Sequence, residues 1–503
     1  MTTADSPTRI RDFGTVGTVI MAVVCLVAGG GIGYFVYLDG LAGPRNTYTN
    51  PLQLLAPGNH YLPTMALGLV VAAFITVLGI VNRIWSVDRL ILFTTGMLLV
   101  ADVIPGLSSL LGILLIGKLF GNILRTGDGH WPLSPTGIAV LLILIAYSTT
   151  FLNTESPVST LSNFLPRMPY IVLALFLPIA VNTTRKLEML VDYFILAALF
   201  SLGVEFLQGI ASAATGQIIT FASEGFETFE APWGATARLT GLMTHPNRYS
   251  NVASTVGIIV LWFALQPKEL ISRQRRIAMW IIFALLVIGV LFSWSRSGWL
   301  SFGIAGLAVP FFRWPHLSPI FLGIGGLLLF VGLSTGFLEL VYDYVRDLSR
   351  SSADFRWHID QIGLQAFFEN PAIGIGVEGT KDFFNAYELQ VHNAPIQILA
   401  DLGIVGMVAF AALMTTVFST MFRVITAAKA SPRLRSIAMA LGISTIVTFV
   451  QGFVEVFLWL KFLWTFIAVL GCVYVAYVED LKRDEEEELA PNPAPETNAL
   501  LST

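Results

Sequence analysis

His392 and Asn393 stand in the run His392–Asn393–Ala394–Pro395, at the end of a polar interlude and just before the chain turns apolar again. An imidazole, with an unperturbed pKa of about 6.5, is the side chain best suited to accept a proton near neutrality. Two arginines precede it at other polar–apolar borders, Arg296 in Ser295–Arg296–Ser297–Gly298 and Arg356 in Phe355–Arg356–Trp357. A near-neutral base close to guanidinium groups, whose planar fork matches phosphate oxygens, points to chemistry on a lipid-borne anion.

The elements that must position these groups are membrane helices. The chain is 55% hydrophobic and only 12% charged, with a mean hydropathy of +0.73, whereas soluble domains carry roughly one-quarter charged residues. Apolar runs of spanning length, about 20 residues, recur from Val16 to Val478. The spacing predicts an all-α integral membrane protein of about 12–14 transmembrane helices. The approximate spans are 16–38, 62–81, 90–104, 108–124, 137–152, 169–182, 187–208 and 248–266, then 277–295, 298–312, 319–338, 396–422, 436–457 and 460–478. The first is too long for a signal-peptide core and reads as a retained helix. The net charge of −4 and the lack of a basic block argue against nucleic acid. Cys25 and Cys472 both fall inside apolar spans, and no His–Cys–carboxylate spacing suggests a metal.

Two short basic loops orient the bundle. Pro267–Arg276 carries Lys268, Arg273, Arg275 and Arg276 against Glu269, and Arg423–Arg435 carries Arg423, Lys429, Arg433 and Arg435 with no acid. The positive-inside bias puts both in the cytoplasm, and alternating the spans from them puts both termini there too. The expected divisions are then membrane helices over 1–208, an external loop over 209–247, membrane helices over 248–338, an external catalytic loop over 339–393, membrane helices over 394–478 and a disordered acidic cytoplasmic tail over 479–503.

That topology gathers Arg238, His245, Asn247, Arg248, Arg296, Arg356 and His392 on or just inside the external face. Charge at membrane depth is costly and marks a functional site by default; the competing reading of Arg296 is a side chain that snorkels to headgroups. Arg356 and Asp360 are spaced i,i+4 and can pair on a surface helix, which still leaves a guanidinium able to take a stronger anion. That helix is expected to begin near Ser351–Asp354 and end at Asn370–Pro371. Asn393 reads as an N-cap with Pro395 in the first turn. Gly374-Ile-Gly376-Val-Glu-Gly379 has the spacing of a dinucleotide fingerprint but sits in a loop of a helical membrane protein, so the glycines read as a turn allowing close backbone approach.

Taken in order, these elements resemble the bacterial O-antigen ligase and polymerase superfamily. Arg238–Leu239–Thr240–Gly241 followed by Pro246–Asn247 is similar to that family's Arg-x-x-Gly…Pro-Asn stretch, and Ser295–Arg296–Ser297 to its Ser-Arg-Ser turn. Arg356–Trp357, Asn370–Pro371 with Gly374 and Gly376, His392–Asn393 and Leu402–Gly403–Ile404–Val405–Gly406 continue in the family's order. The resemblance covers 238–406.

It implies a membrane glycosyltransferase of the helical GT-C-like class in the bacterial inner membrane. Such an enzyme moves a glycan from a polyprenyl (undecaprenyl) pyrophosphate carrier to a hydroxyl of a glycan, lipid or protein acceptor on the outer side, without cofactor or metal. By the same resemblance His392 is the general base, and Arg296 and Arg356 hold the pyrophosphate. Arg238, His245, Arg248 and Asn393 are further candidates without an assigned role. Ligase and polymerase are both open, and a transporter or flippase of an anionic lipid-linked substrate is the rival from another class.

Overall fold

The computed structural model describes residues 87–100, 110–112, 114–115, 134–154, 157–164, 168–215, 220, 228–231, 234–336, 356–380, 390–455 and 461–489. The expected spans at 16–38 and 62–81, most of 108–124, and Cys25 lie outside them. The described chain is helical: α1 Val87–Val100, α2 Pro135–Thr150, α3 Pro157–Phe164, α4 Met168–Ala180, α5 Thr184–Thr215, α6 Pro246–Ala264, α7 Arg273–Phe292, α8 Arg296–Arg313, α9 Ser318–Ser334, α10 at 356–369, α11 Ala394–Thr426, α12 Pro432–Gly452 and α13 Lys461–Leu489. One antiparallel hairpin, β1 Thr228–Ala231 with β2 Gly234–Ala237, interrupts them.

Local chemistry opens many of these helices. Ser134, Ser272 and Ser431 each accept from the main-chain N–H three residues on, satisfying one of the orphan donors of a first helical turn. Pro135 and Pro432 follow two of them at a position where the missing N–H costs nothing.

Six of the described helices are long and apolar enough to cross a membrane, and two shorter ones, Pro135–Thr150 and Tyr170–Ala180, are also apolar. Large side chains of α9, including Leu322, Leu327, Phe330 and Leu333, stand exposed, as expected where the solvent is lipid. This is an all-α integral membrane protein. Helices α6 and α8 fall outside those six because of their polar content. Every residue of α6 except Arg248 and Leu261 is buried, including Asn247, Ser250, Asn251, Ser254 and Thr255. It is the central helix, packed against α7, α8 and α12.

Three boundaries differ from expectation. Helix α5 continues to Thr215, past the expected loop start at 209. The expected loop over 209–247 also holds the hairpin. Helix α13 runs through Glu479–Leu489, where the acidic run reads as a disordered tail. Lys482 pairs with Glu479 and Arg483 with Asp480, so i,i+3 partners supply helical support that composition alone does not reveal. The remainder of that tail lies outside the described residues.

The basic loops meet at one end of the bundle. Arg275 pairs with Glu188 and Asp192, Arg433 approaches Glu188 at 3.8 Å, Lys186 pairs with Asp88, and Thr184 bonds Asp480. The starts of α6, α8 and α11 and the end of α12 lie at the other end, with the candidate residues.

Helix α11 is broken at Gly403, whose φ of 64° leaves the helical region. The break frees main-chain groups that the loop after α10 takes up. Ile375 and Gly376 donate to the carbonyls of Ala400 and Asp401, and Ile404 and Val405 donate to those of Pro371 and Ala372. A Cβ on Gly374 would lie 2.4 Å from the Asp401 carbonyl carbon, and one on Gly403 would lie 2.5 Å from that of Ala372. The glycines therefore do allow close backbone approach, here between a loop and a broken helix. Asn153 fixes the same loop by donating to Asn370 and to the Gly374 carbonyl.

Candidate functional site

The turn between α7 and α8 presents Arg296. Ser295 caps α8 by accepting from Gly298 N–H at 3.2 Å, and Trp294 before it is held at a φ of 50°, a costly conformation for a bulky residue. Gly298 permits the approach to α6, since a Cβ there would lie 2.4 Å from Ser250 Oγ. Arg296 is thus the first residue of α8, where the helix dipole opposes a cation and favours an anion.

Arg238 clamps that turn. Its Nε donates to Ser293 O at 3.3 Å, and its Nη2 donates to Asn247 Oδ1 at 3.1 Å and to Trp294 O at 3.5 Å. Burial lowers its pKa to about 10 against the attraction of Glu455, helped by Arg296 and Arg356, so it remains a cation at any working pH.

His245 caps α6, its Nδ1 accepting from the main-chain N–H of Asn247 at 3.2 Å. That bond assigns the ring proton to Nε2 in the neutral form. Burial brings the pKa of His245 to about 4, despite the pull of Glu455, and Arg248, Arg238 and His392 act in the same direction as burial. Arg248 donates to Thr244 Oγ1 at 3.4 Å.

Asn393 caps α11 through Ile396 N–H at 3.4 Å, the role its position predicts. His392 comes just before it, and Gln390 bonds Glu378 two residues earlier, tying the base of this segment. Burial lowers the pKa of His392; Glu455 and the Gln390 main chain oppose this, while Arg356 adds to it. The ring is therefore neutral at pH 7 and able to take a proton.

The i,i+4 spacing allows Arg356 and Asp360 to pair; the charge of Arg356 does act on Asp360, but among the described residues the two form no ion pair within 4 Å. Burial raises the pKa of Asp360 to about 6 against the pull of Arg356, the His392 main chain and the Asn393 side chain. The Arg356 guanidinium makes no hydrogen bond among the described residues. Arg238 and Arg296 both feel its charge.

Glu455 is the residue missed by sequence reasoning. It follows α12, is 6% exposed, and accepts from Asn247 Nδ2 at 2.5 Å. Burial alone raises its pKa, yet His245, His392, Arg356 and Asn247 together lower it below the ordinary glutamate value. It is a buried anion among cations. A signal existed in the sequence: an acid within the expected span 436–457 is expensive unless it serves a site.

The structure thus brings Arg238, His245, Arg296, Arg356 and His392 within electrostatic reach of one another or of Glu455. Asn393 serves as a cap, and Arg248 acts on His245. Among the described residues no group of His, Cys, Asp and Glu is arranged to hold a metal ion.

No curated protein sequence matches the chain. The family model described as O-antigen ligase matches residues 281–411, a segment that holds Arg296, Arg356, His392, Asn393 and the broken helix, with Arg238, His245 and Glu455 on either side. The matched segment is therefore similar to the O-antigen ligase family.

Proposed function

We propose that this protein transfers a glycan from a polyprenyl pyrophosphate carrier to an acceptor hydroxyl at the outer face of a bacterial cytoplasmic membrane. The observation that carries this reading is the excess of positive charge around the neutral imidazole of His392. Among the described residues, Arg238, Arg296 and Arg356 outnumber the two carboxylates that act on them, Glu455 and Asp360. A diphosphate supplies the missing negative charge, and the Arg356 fork, which makes no hydrogen bond among the described residues, suits its oxygens.

In this mechanism His392 takes the acceptor proton as the acceptor oxygen bonds to the anomeric carbon. The bond from that carbon to the phosphate oxygen breaks, and its electron pair leaves with the carrier pyrophosphate. Arg296 and Arg356 stabilise the charge gathering there, in a site of fixed dipoles. Attack from the face opposite the leaving group inverts the anomeric centre. Residues 339–393 act as the catalytic loop, and the basic ends of α5, α7 and α12 face the cytoplasm.

Donor-type and acceptor-type substrates reconstituted with the protein in one vesicle leaflet test the reading. A covalent product, lost by about 10²–10⁴-fold in His392→Ala with donor binding retained, is the expected result. Lipid translocation without product would identify a flippase instead. Sizing glycans in a deletion strain separates the two transferases: long chains stranded on the carrier indicate a ligase, and single repeats at the surface a polymerase. The break in α11 does not favour transport, because its freed main-chain groups are taken up by the loop at 371–376.

A further inference from the structure

We propose that Glu455 is a positioning residue of the transfer centre: its buried carboxylate, held by Asn247, stabilises the imidazolium that His392 becomes on taking the acceptor proton. This rests on the transferase reading above.

The placement is costly without a purpose. A carboxylate with 6% exposure at the end of a membrane helix loses most of its hydration. It remains ionised because of the groups around it, from four separate elements: His245 and Asn247 at the start of α6, Arg356 on α10, His392 before α11, and Arg238 on the hairpin side. The carboxylate is also oriented. Asn247 Nδ2 donates to its Oε2, Asn247 Oδ1 accepts from Arg238, and the Asn247 main chain donates to His245. One amide thereby fixes the anion relative to the arginine clamp and the first imidazole.

His245 is an unsuitable proton acceptor in this arrangement, since its Nδ1 is engaged by Asn247 N–H. His392 is the imidazole whose protonation the anion can assist. When the acceptor O–H proton moves to His392, a positive charge forms beside a cluster that already holds Arg238, Arg296 and Arg356. Glu455 offsets that repulsion and stays ionised throughout. Asp360 is the other carboxylate near the cluster, its charge acting on Arg356.

The test is the pH dependence of product formation in vesicles containing a polyprenyl-pyrophosphate glycan and an acceptor, comparing wild type, E455Q, E455D and H392A. E455Q keeps the shape and an acceptor for Asn247 but removes the charge. His392 then loses a proton more readily, so the acid limb should move to lower pH by about one unit, and the maximal rate should fall about tenfold as the base weakens. E455D withdraws the carboxylate by one methylene and should move the limb the same way by less, so it serves if E455Q fails to fold. An unmoved limb in whichever variant folds overturns the inference, including when the rate falls. A wild type that makes no product overturns the transferase reading and this inference with it. An active wild type and inactive H392A with an unmoved limb overturn the inference alone.

Discussion

Asn247 donates its side-chain amide to Glu455 Oε2 at 2.5 Å, joining residues 208 positions apart. The same side chain accepts from Arg238 Nη2 at 3.1 Å, so one amide ties the Glu455 carboxylate to an arginine that holds the Arg296 turn. An amide can donate to an anion and accept from a cation at once, which neither aspartate nor leucine can do. This explains why Asn247 is buried at the start of a central membrane helix.

Arg356→Lys and Arg296→Lys should each raise the KM for the lipid-linked donor roughly tenfold to hundredfold, the worth of one charge-assisted hydrogen bond. Lysine keeps the charge but lacks the fork that grips two phosphate oxygens. Steady-state kinetics at varied donor concentration measure this; a lysine variant with wild-type KM would show that a point charge suffices.

Arg238→Lys should act through the turn it clamps. A lysine cannot serve Ser293 O, Trp294 O and Asn247 Oδ1 together, so the strained Trp294 conformation, which costs about 1–3 kcal/mol, loses its support. The expected outcome is a lower Tm in detergent together with weaker donor capture. An unchanged Tm with weaker capture would instead mark Arg238 as a direct ligand.

Gly403→Ala should destabilise the fold by more than about 2 kcal/mol. The added methyl meets the Ala372 main chain at 2.5 Å, in a backbone conformation that L side chains rarely adopt. Gly442 in α12 is a control, because a Cβ there meets only Met421 side-chain atoms at 4.0 Å. Thermal unfolding of the two variants should differ plainly.

Asp360→Asn gives a pH-dependent signature. The folded-state pKa of about 6 lies above the usual aspartate value, chiefly through burial. A raised carboxyl pKa means that the native state prefers the protonated form, so its stabilising share is full below about pH 4 and is lost as pH rises through 6. The asparagine variant should therefore melt above wild type at pH 7.5, with the gap closing as pH falls below 4. A gap independent of pH would assign the effect to packing.

Much of this protein follows from short-range pattern. Apolar runs of spanning length are tied to helix because main-chain groups in lipid must bond within their own segment, and nine of the expected spans coincide with described helices within about five residues. Asn393 as a cap and the glycines of 374–376 as a close-approach turn were legible too, since a cap and a positive φ depend on residue type and immediate neighbours.

What the pattern did not carry is which helix ends meet. The i,i+4 spacing allows Arg356 and Asp360 to pair, but only the fold adds the start of α11, at His392 and Asn393, to the groups that act on Asp360. Gly403 sits within one long apolar run, and its break becomes tolerable only because a loop some thirty residues earlier supplies partners for the freed carbonyls and N–H groups. Glu455 reads as an isolated acid until α6 brings Asn247 against it. Sequence determines helix and cap because those energies are local; the charge cluster depends on long-range packing of separate helices, and only the tertiary structure decides it.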